Sequence, residues 1–338
     1  MKVMKVLEPG KLVCEEEPVP KLQNDTDVLI RVKAAGICGS DIAIYRGTSP
    51  VATYPRVIGH EFAGEVVETG AGCRRIRSGD HVTVNPVISC GTCRVCRKGR
   101  GNVCAHLRVI GVHEDGGYRE FVRVPESNCF AVEKSLPWER AALIEPYTVA
   151  AQVAQRGDVE AGDRVLILGA GQIALTVLQV CKLLGAYCIV TDLVDERLEK
   201  ARSFGADKTI NTSREDIHEA VASVTEGIGA DIAVDAACVG VTLKQAVECV
   251  RPAGVVVTMG FADRPVPATE LQITKNELEI RGSRLNCNQF PRVIDWVQSG
   301  KLDPTRIVTD HIPFTDVLHG IEKIKQDPEH TMKVVLTF

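Results

Sequence analysis

The chain has 338 residues, 45% hydrophobic and 25% charged, which predicts two soluble domains with room for large apolar cores. A formal charge of −4 and a pI near 6.1 exclude the basic footprint of a protein built for nucleic acid or an anionic membrane. No apolar run approaches the roughly 18 residues of a bilayer span, and Met1-Lys2-Val3 opens no secretion signal, so a cytoplasmic location is expected.

Residues 1 to about 35 read as β structure. Val28-Leu-Ile-Arg-Val-Lys33 predicts a strand, with Pro18, Pro20, Asn24 and Asp25 breaking the chain before it. In Ala35-Gly36-Ile37-Cys38-Gly39-Ser40-Asp41, the flanking glycines let the backbone turn tightly around a ligand. Short strands at Phe62–Val67, Val82–Val84 and Phe121–Val124 complete the pattern of a barrel-like β domain.

The central motif is Ile58-Gly59-His60-Glu61. With Cys38 upstream and Glu145 downstream it offers a thiolate, an imidazole and carboxylates, the donor types of zinc. A catalytic zinc normally takes three protein ligands and keeps one position for water or substrate.

Cys90, Cys93, Cys96 and Cys104 form two Cys-x-x-Cys steps with a fourth cysteine close by, the pattern of a closed, structural four-thiolate zinc site. A redox dithiol fits less well, because no thioredoxin-like βαβ pattern surrounds them. Arg94, Arg97, Lys98 and Arg100 read as a solvated loop whose charge favours thiolates, since no recognition helix follows. An odd total of 13 cysteines in an unexported chain argues against a disulfide framework. Cys14, Cys73, Cys129, Cys181, Cys188, Cys238, Cys249 and Cys287 read as small buried hydrophobes or bland loop residues.

From Arg164 the period changes. Arg164–Leu168 is a buried strand, followed by Gly169-Ala-Gly171-Gln172-Ile173-Ala174 and a helix running to a Gly185 stop. The strand Tyr187–Thr191 ends at Asp192, placed as the acidic ribose ligand of a dinucleotide fold about 20 residues beyond the first glycine. Gly169 permits the turn, Gly171 lets backbone approach a pyrophosphate, and the helix N-terminus takes the phosphate charge. Asp192 would accept from a ribose 2′-hydroxyl and repel a 2′-phosphate, so NAD is preferred over NADP, with Arg197 moderating the preference. Helices at Asp195–Phe204 and Thr242–Val250 alternate with strands at Asp231–Asp235, Val255–Met259 and Leu278–Arg281, giving a doubly wound parallel sheet. After Gly282 a helix near Phe290–Val297 and a strand at Lys333–Leu336 return to the first domain.

Taken together, Gly36-Ile-Cys38-Gly-Ser40-Asp41, Gly59-His60-Glu61, the four-cysteine lobe, Leu143-Ile-Glu145-Pro146 and Gly169-Ala-Gly171 resemble the zinc-dependent medium-chain dehydrogenases over essentially the whole chain. Glu145 in its Ile-Glu-Pro setting is similar to the sorbitol and polyol branch. Tyr54-Pro-Arg-Val-Ile-Gly-His60-Glu61, Ile110-Gly-Val-His113, Asp235-Ala-Ala-Cys238 and Ser283-Arg-Leu-Asn286 resemble the group holding the starvation-sensing protein RspB and the L-galactonate and L-gulonate 5-dehydrogenases.

The resemblance implies a GroES-like β-barrel catalytic domain at 1–147 plus 282–338, with a structural zinc lobe at about 88–106, and a Rossmann NAD-binding domain at 148–281. It implies two zinc ions: a catalytic one on Cys38, His60 and Glu61, with Glu145 as fourth ligand or partner of bound water, and a structural one. It also implies a homodimer or homotetramer. Cofactor-binding candidates are Gly169, Gly171, Gln172, Ile173, Asp192, Arg197 and Ser283. Ser40, Glu61 and Glu145 are the catalytic candidates. One departure matters: relatives usually carry a relay histidine five residues after the first zinc cysteine, where this chain has Ala43. Tyr45, Glu145 with water, or ribose hydroxyls would then continue the route from Ser40.

The expected reaction is oxidation of a secondary alcohol of a sugar acid such as L-gulonate or L-galactonate, with zinc as Lewis acid and a nicotinamide as hydride acceptor. Arg56, His113, Arg119 and Arg284 are the cations available to a substrate carboxylate, Arg284 first and His113 second. The rivals are the same chemistry on a polyol, a polyol phosphate or L-threonine, and a nucleotide-binding sensor without turnover.

Overall fold

The computed structural model describes residues 1–261, 265 and 268–338. The chain divides into two compact units, Met1–Thr148 with Asn286–Phe338, and Val149–Leu285.

In the first unit the strand Asp27–Gly36 is central. Its residues are buried almost end to end because it has neighbours on both sides: Glu61–Thr69 and Phe121–Pro125, and at its C-terminal end Lys333–Thr337, all antiparallel to it. His81–Val84 and Cys129–Val132 extend the sheet beyond Glu61–Thr69, and Val308–Pro313 extends it beyond Lys333–Thr337, giving seven strands. Register decides what meets at the C-terminal end of Asp27–Gly36. Gly36 lies opposite Glu61 on one side and Val335 on the other. The C-terminal strand therefore delivers its side chains beside Glu61, although sequence separates the two segments by most of the chain. A three-stranded sheet of Lys11–Glu16, Lys2–Glu8 and Arg56–Val57 feeds directly into the Ile58-Gly59-His60 turn. The two-stranded pair Val87–Ile88 and Arg108–Val109 closes the base of the cysteine lobe.

The second unit is a six-stranded, wholly parallel sheet in the order Lys208–Asn211, Tyr187–Asp192, Arg164–Leu168, Ala230–Asp235, Val250–Thr258, Glu279–Gly282. This is the doubly wound order, with its reversal beside Arg164–Leu168. Leu166, Leu168, Ile189, Ile210 and Val256 pack with Ile217, Val221, Ala246 and Val247 from two helices to form a core.

Several elements of the second unit differ from the reading of the sequence. The helix expected over Thr242–Val250 spans Gly240–Cys249, and Val250 instead opens a strand that reaches Thr258 across a register shift. The left-handed Ala253 (φ 55°) marks the bulge. The strand Lys208–Asn211 and the helix Ile217–Val224, whose first amides are capped by Asp216, were not expected.

Candidate active site and nucleotide-binding turn

The side chains of Cys38, His60 and Glu61 come from three different local structures. Cys38 is the N-cap of the helix Gly39–Arg46, in extended conformation with φ −103° and ψ 154°. His60 leaves a turn in which Gly59 has φ +95°, and a Cβ at Gly59 would meet the Tyr118 ring at 2.2 Å. Glu61 opens a strand, and a Cβ at its neighbour Gly36 would come within 2.1 Å of Glu61 Oε2. Both glycines thus leave room that the motif needs.

One donor atom from each of Cys38, His60 and Glu61 lies within 4.8 Å of those of the other two. Asp41 ties the first two together. Its carboxylate accepts from the amides of Cys38 (2.9 Å) and Gly59 (3.1 Å), lies 2.9 Å from the Tyr118 hydroxyl, and faces His60 Nδ1 at 3.5 Å. This orients the imidazole and leaves Nε2 3.5 Å from Ser40 Oγ. Behind Glu61, Lys333 Nζ lies 2.7 and 2.9 Å from the two carboxylate oxygens and 3.0 Å from Ile37 O.

Charge in this cluster is far from its ordinary state. Burial disfavours a charged His60, yet the neighbouring Asp41 and Cys38 outweigh it and hold the imidazole pKa well above normal. Burial pushes the Glu145 carboxyl up to about 7, with Glu61 adding to the shift and His60 and Lys333 opposing it. Lys333, wholly enclosed, loses charge stability to burial and regains more from Glu61, Cys38 and Asp41. A thiol, an imidazole and a carboxylate brought this close together suit a divalent cation. Glu145, buried at the start of the helix Ile144–Gly157, lies outside the compact three-donor set.

The second cluster, Cys90, Cys93, Cys96 and Cys104, has Sγ–Sγ separations of 3.4 Å and 4.0 Å. Those are far beyond a disulfide bond and close to the edge, roughly 3.8 Å, of a tetrahedron with ~2.3 Å zinc–sulfur bonds. Backbone amides already point at the sulfurs: Cys93 N at Cys90, Cys96 N at Cys93, and Cys90 N and His106 N at Cys104. Those amides draw the Cys90 thiol down to about 5, whereas burial and neighbouring thiols push Cys96 up to about 12. None of the 13 cysteines is joined in a disulfide.

In the second unit, Gly169 turns at φ +97° and Gly171 caps the helix Gln172–Leu183 with no side-chain acceptor on its first amides. A Cβ at Gly171 would meet nothing within 4 Å, so space lies open beside the backbone there. This is the arrangement a pyrophosphate fills. Asp192 accepts from Ala170 N at 2.8 Å and from the amides of Leu193 and Val194 at 2.8 and 3.1 Å. A carboxylate has about four acceptor directions, and these three amides take most of them. Arg197 stands 3.9 Å from Asp192 Oδ1. The Ser283 hydroxyl is buried with no partner among the described residues.

The four cations named for a substrate carboxylate do not form one group. Arg56 and Arg119 both engage Asp115, and His113 Nδ1 accepts from Val109 N at 3.1 Å to close its own turn. Arg284 lies over the Phe261 ring at 5.1 Å. Asp41, Tyr118 and Lys333 were not named as site residues. Asp41 lies in the Gly36–Asp41 motif, but nothing local to it, to Tyr118 or to Lys333 announces the partners that they reach.

This fold and donor set define a zinc-type alcohol dehydrogenase, and the comparisons agree. Residues 24–134 match the alcohol dehydrogenase GroES-like domain, and residues 173–299 match the zinc-binding dehydrogenase domain. The chain belongs to the zinc-binding alcohol dehydrogenase family, in its polyol-dehydrogenase-like branch, and is an oxidoreductase. It is 43% identical to the starvation-sensing protein RspB of Escherichia coli K12, over 100% of this chain and 99% of the relative. It is 31% identical to L-galactonate-5-dehydrogenase of the same organism, again over 100% and 99%. The crystal structure of RspB from Escherichia coli CFT073, complexed with cofactor NADH, matches with a TM-score of 0.95 at 42% identity, covering 100% and 99%. Among the described residues no helix is long and apolar enough to cross a membrane.

Proposed function

We propose that this protein is a cytoplasmic, NAD-dependent dehydrogenase that oxidises a secondary alcohol of a sugar acid of the L-gulonate or L-galactonate type to the keto acid, reversibly. The observation that carries the reading is the convergence of Cys38, His60 and Glu61 donors within 4.8 Å. The likeness to L-galactonate-5-dehydrogenase supports the substrate class, and the NADH-bound RspB structure supports the cofactor.

Cys38, His60 and Glu61 would hold a catalytic zinc, with Glu145 as fourth ligand or as partner of water, and Cys90, Cys93, Cys96 and Cys104 a structural one. When bound, zinc supplies Lewis acidity toward a hydroxyl and a nicotinamide supplies the hydride acceptor. The chain's own groups do the rest. Ser40 Oγ takes the hydroxyl proton and passes it on by Tyr45, by Glu145 with water or by the ribose hydroxyls, because Ala43 offers no imidazole. Asp41 fixes the His60 ring and Lys333 fixes Glu61, so the donors need little reorganisation. Gly169, Gly171, Gln172 and Ile173 cradle the pyrophosphate, and Asp192 accepts from the ribose with Arg197 beside it and Ser283 offering its hydroxyl. Arg284, and after it His113, meets the substrate carboxylate. Residues 1–147 with 282–338 form the catalytic domain and 148–281 the nucleotide domain, in a homodimer or homotetramer.

Initial rates of NADH formation across aldonates, hexitols, hexitol phosphates and L-threonine test this. Aldonates should lead by at least ten-fold in kcat/KM. A lead by hexitols or their phosphates would replace the substrate class and leave the chemistry intact. Ala43 favours a second reading, a nucleotide sensor without turnover. Tight NADH binding with no reduction of NAD by any substrate would put that reading first.

A further inference from the structure

We propose that the first unit carries a second ligand site, a cavity that binds a phosphate-type dianion, separate from the metal cluster and the nucleotide-binding turn. The cavity holds about 500 Å³, within the range of small-molecule pockets. Its walls bring Lys21, Arg56, Arg108, Arg119 and Arg123 together, on a chain whose net charge is −4. Three carboxylates, Asp27, Glu114 and Asp115, share the wall and pair with four of these cations, leaving five positive charges against three negative ones.

Asp115 is the nearest acid to Arg119, yet its Oδ1 accepts from Arg56 Nη1 at 2.9 Å and Val57 N at 3.2 Å. Arg119 is left with long contacts: Nη1 lies 3.8 Å from Asp115 Oδ2, Nη2 lies 3.4 Å from Asp115 O, and Nε has no partner among the described residues. Its side chain is only 10% exposed, where a polar group left without an acceptor is costly. Burial holds the Arg119 pKa below its ordinary value, with Asp115 offsetting part of the effect. Arg56 Nε is buried without a partner as well.

On the opposite wall, Asp27 Oδ2 accepts from Gln23 N and Asn24 N at 2.8 and 2.9 Å and stands 3.6 Å from Arg123 Nε. The pairs Arg108–Glu114 at 2.6 Å and Arg56–Asp115 at 2.9 Å are tight, whereas Arg119 and Arg123 make only contacts of 3.4 Å and longer. Arg119 and Arg123, held only by long contacts in the lining of one polar cavity, carry planar guanidinium forks that match the oxygen arrangement of a phosphate group. A cavity of this size also admits a phosphate ester, so the group arrives either as orthophosphate or on a metabolite.

Isothermal titration of the zinc-loaded full chain tests the site, with NADH present so that the nucleotide turn is filled. The probes are inorganic phosphate and glycerol 3-phosphate in a chloride background. Saturable one-to-one binding is expected, with loss of about ten-fold or more in Arg119→Gln, the scale of one charge-assisted pair. Should Arg119→Gln fail to fold, the double variant Lys21→Gln, Arg123→Gln, at the more exposed wall, must weaken binding several-fold. Tighter glycerol 3-phosphate identifies a metabolite as the source, and equal affinity identifies free phosphate. Absence of saturable binding at millimolar probe, or binding unchanged in these variants, overturns the site. Neither result depends on which substrate the enzyme oxidises.

Discussion

Lys333 Nζ lies 2.7 and 2.9 Å from the two carboxylate oxygens of Glu61, with both side chains shut away from solvent. Buried ion pairs of this kind add little net stability when intact, but removing one partner strands a charge. We predict that Lys333→Met lowers stability by about 3–5 kcal/mol and weakens zinc retention at the three-donor cluster. The double variant Lys333→Met, Glu61→Gln should recover part of that stability, since no unpaired carboxylate remains. Urea unfolding of the four proteins of this cycle measures the coupling. Additive losses would mean that the pair does not act as a unit.

Gly59 combines a left-handed backbone with direct contact to the Tyr118 ring, which itself reaches Asp41 and Gly36 O. Gly59→Ala is expected to cost at least about 1–2 kcal/mol from backbone conformation alone, before the ring is displaced. The larger effect should fall on metal content, because His60 and the Asp41 tie move with the turn. Thermal melting and zinc analysis of the purified variant check both. A variant that melts normally and keeps two zinc ions would show that the turn adapts.

What could be read from the sequence followed from how local each signal is. The cysteine lobe, Gly59-His60-Glu61 and Gly169-Ala-Gly171 announce themselves because ligand chemistry and turn geometry sit within a few residues. The strand Asp27–Gly36 was legible from its apolar run and the breakers before it. Lys333 was not: it pairs with a residue 272 positions away, and only the register of Lys333–Thr337 on Asp27–Gly36 brings them together. Asp41 was visible as part of a motif, but its ties to Gly59 and Tyr118 exist only in three dimensions. Lys208–Asn211 has four residues, three of them polar, too short for any period to show. Asp192 was placed by spacing, while the three backbone amides it accepts from could not be anticipated.

Cys96 joins the four-thiol cluster from a single helical turn, Arg94–Arg97, which the Cys93 side chain caps. Cys96→Ser should remove one zinc per chain and leave the other, because the catalytic donors lie on different segments. Titration with a chelator, followed by a colorimetric metal indicator, should show two release phases in the wild type and one in the variant. Loss of both ions in the variant would mean that the two sites are coupled.

Asp192 carries the proposed choice of cofactor and also braces the phosphate turn through Ala170 N. Asp192→Asn keeps an acceptor for one amide but removes the negative charge. NADH affinity is expected to fall roughly ten-fold, ~1.4 kcal/mol, while NADPH affinity holds or rises as repulsion of a 2′-phosphate disappears. Fluorescence titration with both nucleotides reads the ratio. An unchanged NADH to NADPH preference would remove Asp192 from the selectivity argument.

Glu126 offers a pH-dependent test away from both metal clusters. Its carboxylate accepts from three successive amides, those of Arg74, Arg75 and Ile76, at 2.8, 2.6 and 3.0 Å. Burial opposes the charge, but these N–H groups outweigh it and hold the carboxyl below its ordinary value of 4.5. A folded-state pKa below the unfolded one means that the unfolded chain binds its proton first as pH falls. The stabilisation is therefore complete above about 4.5 and declines as pH drops toward the folded-state value. Glu126→Gln should melt at a lower temperature than the wild type at neutral pH, and the gap should narrow steadily on acidification. A gap that stayed constant down the acid limb would show that the amides hold a neutral acceptor equally well, and that the charge on Glu126 contributes nothing to the fold.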